Sequence, residues 1–236
     1  MYQPAGSPFG KALLTSADLG TLQISYAQPR YWPIGGWRGT VKRTFDFVFA
    51  LLGLVVFCIP MLVIALLIRL ESPGKVLFRQ RRIGFGNAGF EMLKFRTMRQ
   101  HPPESGRLTQ ATRHDRRVTR VGGFLRHTSL DELPQLFNIL RGDMSLVGPR
   151  PHAPGTCAGG KPFEQVTPHY PARHRVKPGL TGLAQIRGWR GETETEEKLL
   201  RRVESDLEYI ATWSLWLDLV ILARTVTPVF AMRNAY

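Results

Sequence analysis

Between Phe47 and Ile68 the chain reads FVFALLGLVVFCIPMLVIALLI, 22 residues without a charge. No other stretch restricts the fold as strongly. About 20 apolar residues in helical form cover the hydrocarbon core of a bilayer. A soluble core helix of that length and uniformity is unusual, so the run predicts insertion into a membrane. Insertion and crossing are separate matters. Pro60 lies near the middle, where it removes a backbone hydrogen bond and kinks a helix. Both flanks are basic, with Lys42 and Arg43 before the run and Arg69, Lys75, Arg79, Arg81 and Arg82 after it. The positive-inside rule holds each flank in the cytoplasm. A straight span satisfies one flank; a re-entrant helix-break-helix satisfies both. Residues 47–58 would reach about 18 Å at helical rise, part of the way across. From the residues alone, spanning and re-entry both stay open.

The remaining length, in a chain of 236 residues, suits one domain plus extras. Lysine and arginine number 32 against 18 acids, a net charge of +14. Such an excess calls for anionic partners: nucleic acid, anionic lipid or phosphorylated small molecules. Cys58 and Cys157 lie far apart, which argues against a disulfide framework and for a reducing compartment. Residues 1–40 lack the sustained apolar core of a signal peptide. The expected organisation is a flexible tail over residues 1–38, a membrane helix over 39–72 and a cytoplasmic-face domain over 73–236.

After the apolar run, Val76 to Gln80 and Phe90 to Phe95 read as strands joined by a turn. That turn, GFGNAG, matches G-x-G-x-x-G, but it leads into a strand where a dinucleotide fingerprint opens a helix. A hairpin loop is the better reading. Residues 99–117 read as a polar loop, and His101, His114 and His127 lack metal-ligand spacing. A short amphipathic helix, a connector and a second helix follow. A proline-rich loop runs to residue 178, and two helices close the chain. Trp213, Trp216 and Leu217 fall at helical spacing. They suit a membrane interface or an ordinary core face equally.

The connector holds two adjacent acids, Asp131 and Glu132. Ser129-x-x-Glu132 matches a capping box, although Pro134 fits that register poorly. With Asp131 as the cap instead, the proline is tolerated. In either register Asp131 lies in the first turn of a helix, whose N–H groups favour both an ionised carboxylate and a bound phosphate. An ionised aspartate there is a plausible nucleophile toward phosphorus. A neighbouring glutamate suits Mg²⁺, which takes one or two carboxylates plus substrate phosphates. Capping and catalysis are both compatible with the residues.

Several ordered blocks carry more information together: KRTFDFVFALLGLVVFCIPMLVIALLIRL, FEMLKFRTM, RVTRVGGFLRHTSLDELPQLFNILRGDMSLVGPRP, HRVKPGLTGLAQIRGWRGETETEEK and WSLWLDL. From about residue 40 onward the chain resembles the bacterial sugar transferases, monotopic phosphoglycosyl transferases acting on polyprenyl phosphate. WRGETETE and WSLWLDL resemble most the branch that moves glucose-1-phosphate onto undecaprenyl phosphate. Larger members of that branch carry additional N-terminal membrane helices and a regulatory domain. The resemblance implies an α+β, mainly helical, monotopic protein with a re-entrant helix, interfacial amphipathic helices and a small β-hairpin. It implies a UDP-sugar donor, an undecaprenyl phosphate acceptor, Mg²⁺, the inner leaflet of the bacterial inner membrane and no nucleic acid; a homodimer is compatible with it. By position, Asp131 is the nucleophile and Glu132 a metal ligand. Arg126, Arg150, Lys94 and Arg96 would meet phosphate or nucleotide, and Asp206 would lie near the metal. Two departures stand out. Cys58-Ile59-Pro60 replaces the family's frequent Ser-Pro break, and Arg116 stands where proline is common. A basic surface binder would need only charge, not an Asp-Glu pair followed by Gly-Pro-Arg-Pro.

Overall fold

The apolar run becomes the centre of helix α1, Gly36–Glu71, with Pro60 inside it. The computed structural model describes residues 34–99, 115, 117–191, 193 and 195–230, with side chains described as far as 225. The tail over 1–33, most of the 99–117 loop, His101 and His114 lie outside the described residues. Within α1 the expected break at Cys58-Ile59-Pro60 does not divide two helices, since one helix runs through it. Lys42, Asp46, Ala50, Ile64 and Ile68 are its buried residues, falling in two stripes. Between them, positions 55–60 are exposed on every side, Ile59 to 74%. The helix ends at Ser72, where Arg96 satisfies the carbonyls that a helix terminus leaves open. Its guanidinium donates to Ser72 O at 2.7 Å, Pro73 O at 2.7 Å and Ile68 O at 3.3 Å.

Strands β1 (Leu77–Ile83) and β2 (Gly89–Phe95) pair antiparallel from Leu77↔Phe95 to Ile83↔Gly89. They are longer than the alternation of residues suggested, because the hairpin stays paired up to its loop. That loop is the GFGNAG turn, where Gly86 (φ 61°) and Asn87 (φ 63°) adopt the left-handed conformation that reverses the chain. Helix α2 (Arg120–Thr128) starts at Thr119, whose hydroxyl accepts from Gly122 N at 2.9 Å. A Cβ on Gly122 would sit 2.1 Å from Thr97 O, so only glycine lets α2 lie against the exit of β2. Ile64, Ile68, Phe95 and Leu125 form the core shared by α1, β2 and α2, with Met61, Leu130 and Leu133 packed on it.

After α2 the chain passes through a 3₁₀ turn, Leu130–Glu132, into α3, Gln135–Arg141. Asn138 pins α3 to the hairpin by accepting from Leu93 N (2.9 Å) and donating to Glu91 O (2.7 Å). Arg43 of α1 closes the other end of α3, donating to Ile139 O at 2.5 Å and Leu140 O at 2.7 Å. Strand β3 (Ser145–Val147) follows, then the short pair β4 (Cys157–Ala158) and β5 (Lys161–Pro162), and α4 (Phe163–Val166). A 3₁₀ helix, Tyr170–Arg175, leads to β6 (Gly179–Thr181), which pairs parallel with β3. Then come α5 (Leu183–Ile186), α6 (Glu196–Thr212) and α7 (Leu215–Phe230).

The two closing helices meet α1 in a buried polar cluster. Lys42 Nζ lies 2.8 Å from Asp46 Oδ1 and 2.9 Å from Asp218 Oδ2. Asp46 Oδ1 also accepts from Leu146 N at 3.1 Å, and Trp213 Nε1 donates to Asp218 at 3.2 Å. The Tyr209 hydroxyl sits 2.9 Å from Asp218 Oδ1 and 3.0 Å from Val147 O. The three residues expected on one helical face therefore divide. Trp213 follows the end of α6 and is buried, whereas Trp216 on α7 is 73% exposed.

Candidate active site

The acidic pair sits in the 3₁₀ turn, one turn ahead of α3. The helix itself begins after Pro134, whose missing N–H costs nothing at that place. The Ser129 side chain caps no helix. Ser129 takes the left-handed conformation, φ 59°, which is uncommon outside glycine and here marks the corner between α2 and the turn. Its hydroxyl accepts from Arg190 Nη2 at 3.0 Å.

The two carboxylates occupy different electrostatic surroundings. Glu132 is held by two cations. Lys94 Nζ lies 2.8 Å from Oε1, and Arg150 forks across both oxygens, its Nη1 3.2 Å from Oε2. Burial opposes ionisation of Glu132, but Arg150 and Lys94 together outweigh it and hold the carboxyl well below the usual range. Asp131 is nearly as buried, yet its closest cation is Lys94 at 3.5 Å, and it accepts no hydrogen bond among the described residues. Burial pushes its carboxyl up and Glu132 adds to the rise, while Lys94, Arg150 and Arg126 pull it back. One acid is thus held by two cations that favour its charged form. The other is less committed and more basic.

Of the residues expected around the pair, Lys94 and Arg150 are in direct contact with it. Arg126 stands nearby, its Nε donating to Thr97 Oγ1 at 2.9 Å, and its charge acts on Asp131. Arg96 is elsewhere, spent on the end of α1. Asp206 is also set apart. It pairs with fully buried Arg173 at 2.6 Å, and Arg173 donates in turn to Arg150 O at 2.9 Å. Asp206 therefore reaches the pair only through Arg173 and the backbone of Arg150. Arg173 and Arg190 escaped sequence reasoning because one stands in a short 3₁₀ helix and the other in a glycine-flanked loop, neither long enough to show a period. Asp218 left a signal, a lone acid inside the apolar run WSLWLDLVI.

The Gly148-Pro149-Arg150-Pro151 loop leaves the end of β3. A Cβ on Gly148 would lie 2.5 Å from Lys177 O, so the loop and the segment before β6 touch backbone to backbone. This close packing delivers Arg150 to Glu132. Two adjacent carboxylates ringed by Lys94, Arg126 and Arg150 can receive a phosphorylated substrate and place an aspartate oxygen against phosphorus.

A model of the family described as bacterial sugar transferase matches residues 37–232. A protein of Caulobacter vibrioides named UDP-glucose:undecaprenyl-phosphate glucose-1-phosphate transferase is 54% identical over 243 residues, covering 100% of this chain and 87% of its own length. The undecaprenyl-phosphate glucose phosphotransferase of Komagataeibacter xylinus is 48% identical over 217 residues, covering 92% of this chain; the chain spans 40% of that longer protein. An exopolysaccharide production protein of Rhizobium leguminosarum is 46% identical over 186 residues, with 79% of this chain and 93% of the relative covered. The motifs that surround Asp131 and Glu132 thus lie within a match running almost the full described length, and the chain belongs to the bacterial sugar transferase family.

Proposed function

We propose that the protein transfers glucose-1-phosphate from UDP-glucose to undecaprenyl phosphate, releasing UMP and starting the assembly of an exopolysaccharide or related glycan. The observation that carries this is the unequal setting of the acidic pair: Lys94 and Arg150 hold Glu132, while the nearest cation to Asp131 is Lys94 at 3.5 Å. Neighbouring acids whose surroundings push them apart are acids with separate roles. An Asp131 oxygen attacks the sugar-bearing phosphorus. The bond from that phosphorus to the oxygen shared with the uridylate breaks, and its electron pair leaves with UMP. The aspartyl-phosphosugar that remains is attacked by the acceptor's phosphate oxygen, which frees the Asp131 carboxylate and forms the diphosphate-linked sugar. One high-energy phosphate linkage is exchanged for another through the aspartyl ester, so no ATP is needed. Lys94 and Arg150 keep Glu132 in place, and with Arg126 they neutralise phosphate charge, the main demand of phosphoryl transfer.

Mg²⁺ fits the Asp131–Glu132 edge. These are adjacent hard oxygen donors. Such a site suits an ion that takes its other ligands from substrate phosphates and water. Bound there, Mg²⁺ would supply neutralisation of the diphosphate. Asp206 does not fit as a ligand, because it stands apart from that edge, joined to it through Arg173 and the backbone of Arg150. At the edge itself Asp131 is the freer donor, since Lys94 and Arg150 already hold Glu132.

The same reading includes a re-entrant α1, with the active site at the cytoplasmic face of the inner membrane. The lapse in burial over residues 55–60, between two packed stripes, supports it. A straight helix lying on a domain buries a residue every three or four positions throughout its length. A helix whose middle leaves the domain for lipid does not, and Pro60 can bend it there without ending it.

Asp131→Asn tests the reading in the absence of acceptor. The wild-type protein should release one UMP per chain from UDP-glucose and retain label from the sugar; the variant should do neither. A variant that still releases UMP and carries label would exclude Asp131 as the nucleophile.

A further inference from the structure

Most arginines around the site are already spent. Arg150 is held by Glu132 and Arg173 by Asp206. Arg187 forks onto Glu208 at 2.5 and 2.6 Å. Buried Arg202 donates to Trp189 O at 2.9 Å and to Gly191 O at 2.9 Å. Arg190 differs. Among the described residues it has one partner, the Ser129 hydroxyl at 3.0 Å, and no carboxylate. Four of its five donors remain, and no carboxylate among the described residues pairs with its charge.

The loop that carries it is built to hold it there. Gly188 (φ 90°) and Gly191 (φ 78°) reverse the chain on either side. Arg202 clamps the carbonyls of Trp189 and Gly191, the two residues flanking Arg190. Trp189 N donates back to Ala184 O at 3.0 Å. A loop fixed at these points sends one side chain to the corner of the catalytic turn. Ser129 and Asp131 are two residues apart, so their Cα atoms lie within about 7 Å. A guanidinium anchored on Ser129 therefore stands beside the nucleophile. A planar fork with four donors left over among the described residues suits phosphate oxygens.

We propose that Arg190 is a catalytic residue of the first half-reaction, which rests on the transferase reading above. As Asp131 attacks, the guanidinium donates to the non-bridging oxygens of the sugar-bearing phosphate. The Asp131 oxygen–phosphorus bond forms and the phosphorus–oxygen bond to UMP breaks. No proton moves to or from Arg190. Ser129 aims the guanidinium, which gives the left-handed corner a purpose beyond turning the chain.

The test is the UMP burst from UDP-glucose without acceptor, measured on the full chain in detergent with Mg²⁺. Arg190→Ala should slow the burst 100-fold or more while KM for UDP-glucose changes only a few-fold. Added guanidinium ion should restore at least a tenth of the wild-type rate where equal NaCl does not, and Arg190→Lys should fall between. A burst in Arg190→Ala within threefold of wild type overturns the proposal. So does a loss that neither guanidinium nor Arg190→Lys repairs, the mark of a purely structural staple. A wild-type chain that gives no burst with any UDP-sugar would instead remove the transferase reading itself.

Discussion

Lys94 is the residue on which the acidic pair balances. It touches both carboxylates, at 2.8 Å on Glu132 and 3.5 Å on Asp131. Its charge lowers the Asp131 carboxyl against the rise from burial. Removing that cation leaves the rise less opposed, so the Asp131 proton is held to higher pH. Lys94→Met should therefore move the acidic limb of the kcat/KM profile for UMP release to higher pH. An unshifted limb would show that the limb reports another group. The identity of the pair was legible in the sequence as Asp-Glu ahead of an apolar run. The assignment of its counter-ions was legible only in part. Lys94 and Arg150 stand in recognisable motifs, but Arg96 stands in the same KFRTM motif and serves the end of α1 instead. Strand alternation would put positions 94 and 96 on one face, but β2 ends at Phe95, so the alternation does not carry to Arg96 and spacing alone misplaces it.

At the scale of elements, α1 is bound to the rest of the chain by polar groups at both ends. Glu71 accepts from Arg120 N at 2.7 Å and Val121 N at 3.0 Å, holding the start of α2. At the other end Lys42 sits between Asp46 and Asp218, all three buried. Through Leu146 and Val147 this cluster touches β3, the strand that leads into the Arg150 loop. Lys42→Met would leave two buried carboxylates without their cation. Stranding a buried charge costs about 3–5 kcal/mol. The variant should unfold at clearly lower urea than wild type in the same detergent, and wild-type stability would show that the cluster carries no net charge interaction.

At the scale of the whole molecule, most of α1 exposes large aliphatic side chains, among them Val55, Val56, Ile59 and Leu62. Each fully buried side chain of this kind is worth about 1.5–3 kcal/mol, and a folded domain holds only about 5–15 kcal/mol in reserve. A lipid environment removes that cost, and the protein is membrane-associated. Re-entry makes a further prediction. With Cys58→Ala and Cys157→Ser as background, single cysteines placed by Arg38→Cys and Gln80→Cys should both react with a membrane-impermeant maleimide in inverted vesicles. Neither should react in right-side-out spheroplasts. Labelling of the Arg38→Cys protein from outside would establish a span.

The sequence by itself determined the membrane helix, the hairpin, the closing helices and the acidic pair. Each is written in a local signal: an uncharged run, a glycine-rich turn between strands, helical periodicity, or two carboxylates beside a turn. Only the tertiary structure decided which cations meet those carboxylates, that Asp206 faces Arg173 and not the pair, and that Trp213 is buried while Trp216 is not. Those outcomes depend on pairs distant along the chain, such as Lys94 with Glu132 and Arg190 with Ser129. Periodicity fixes the face of an element on which a side chain lies, but the partner it meets there is set by how the elements pack.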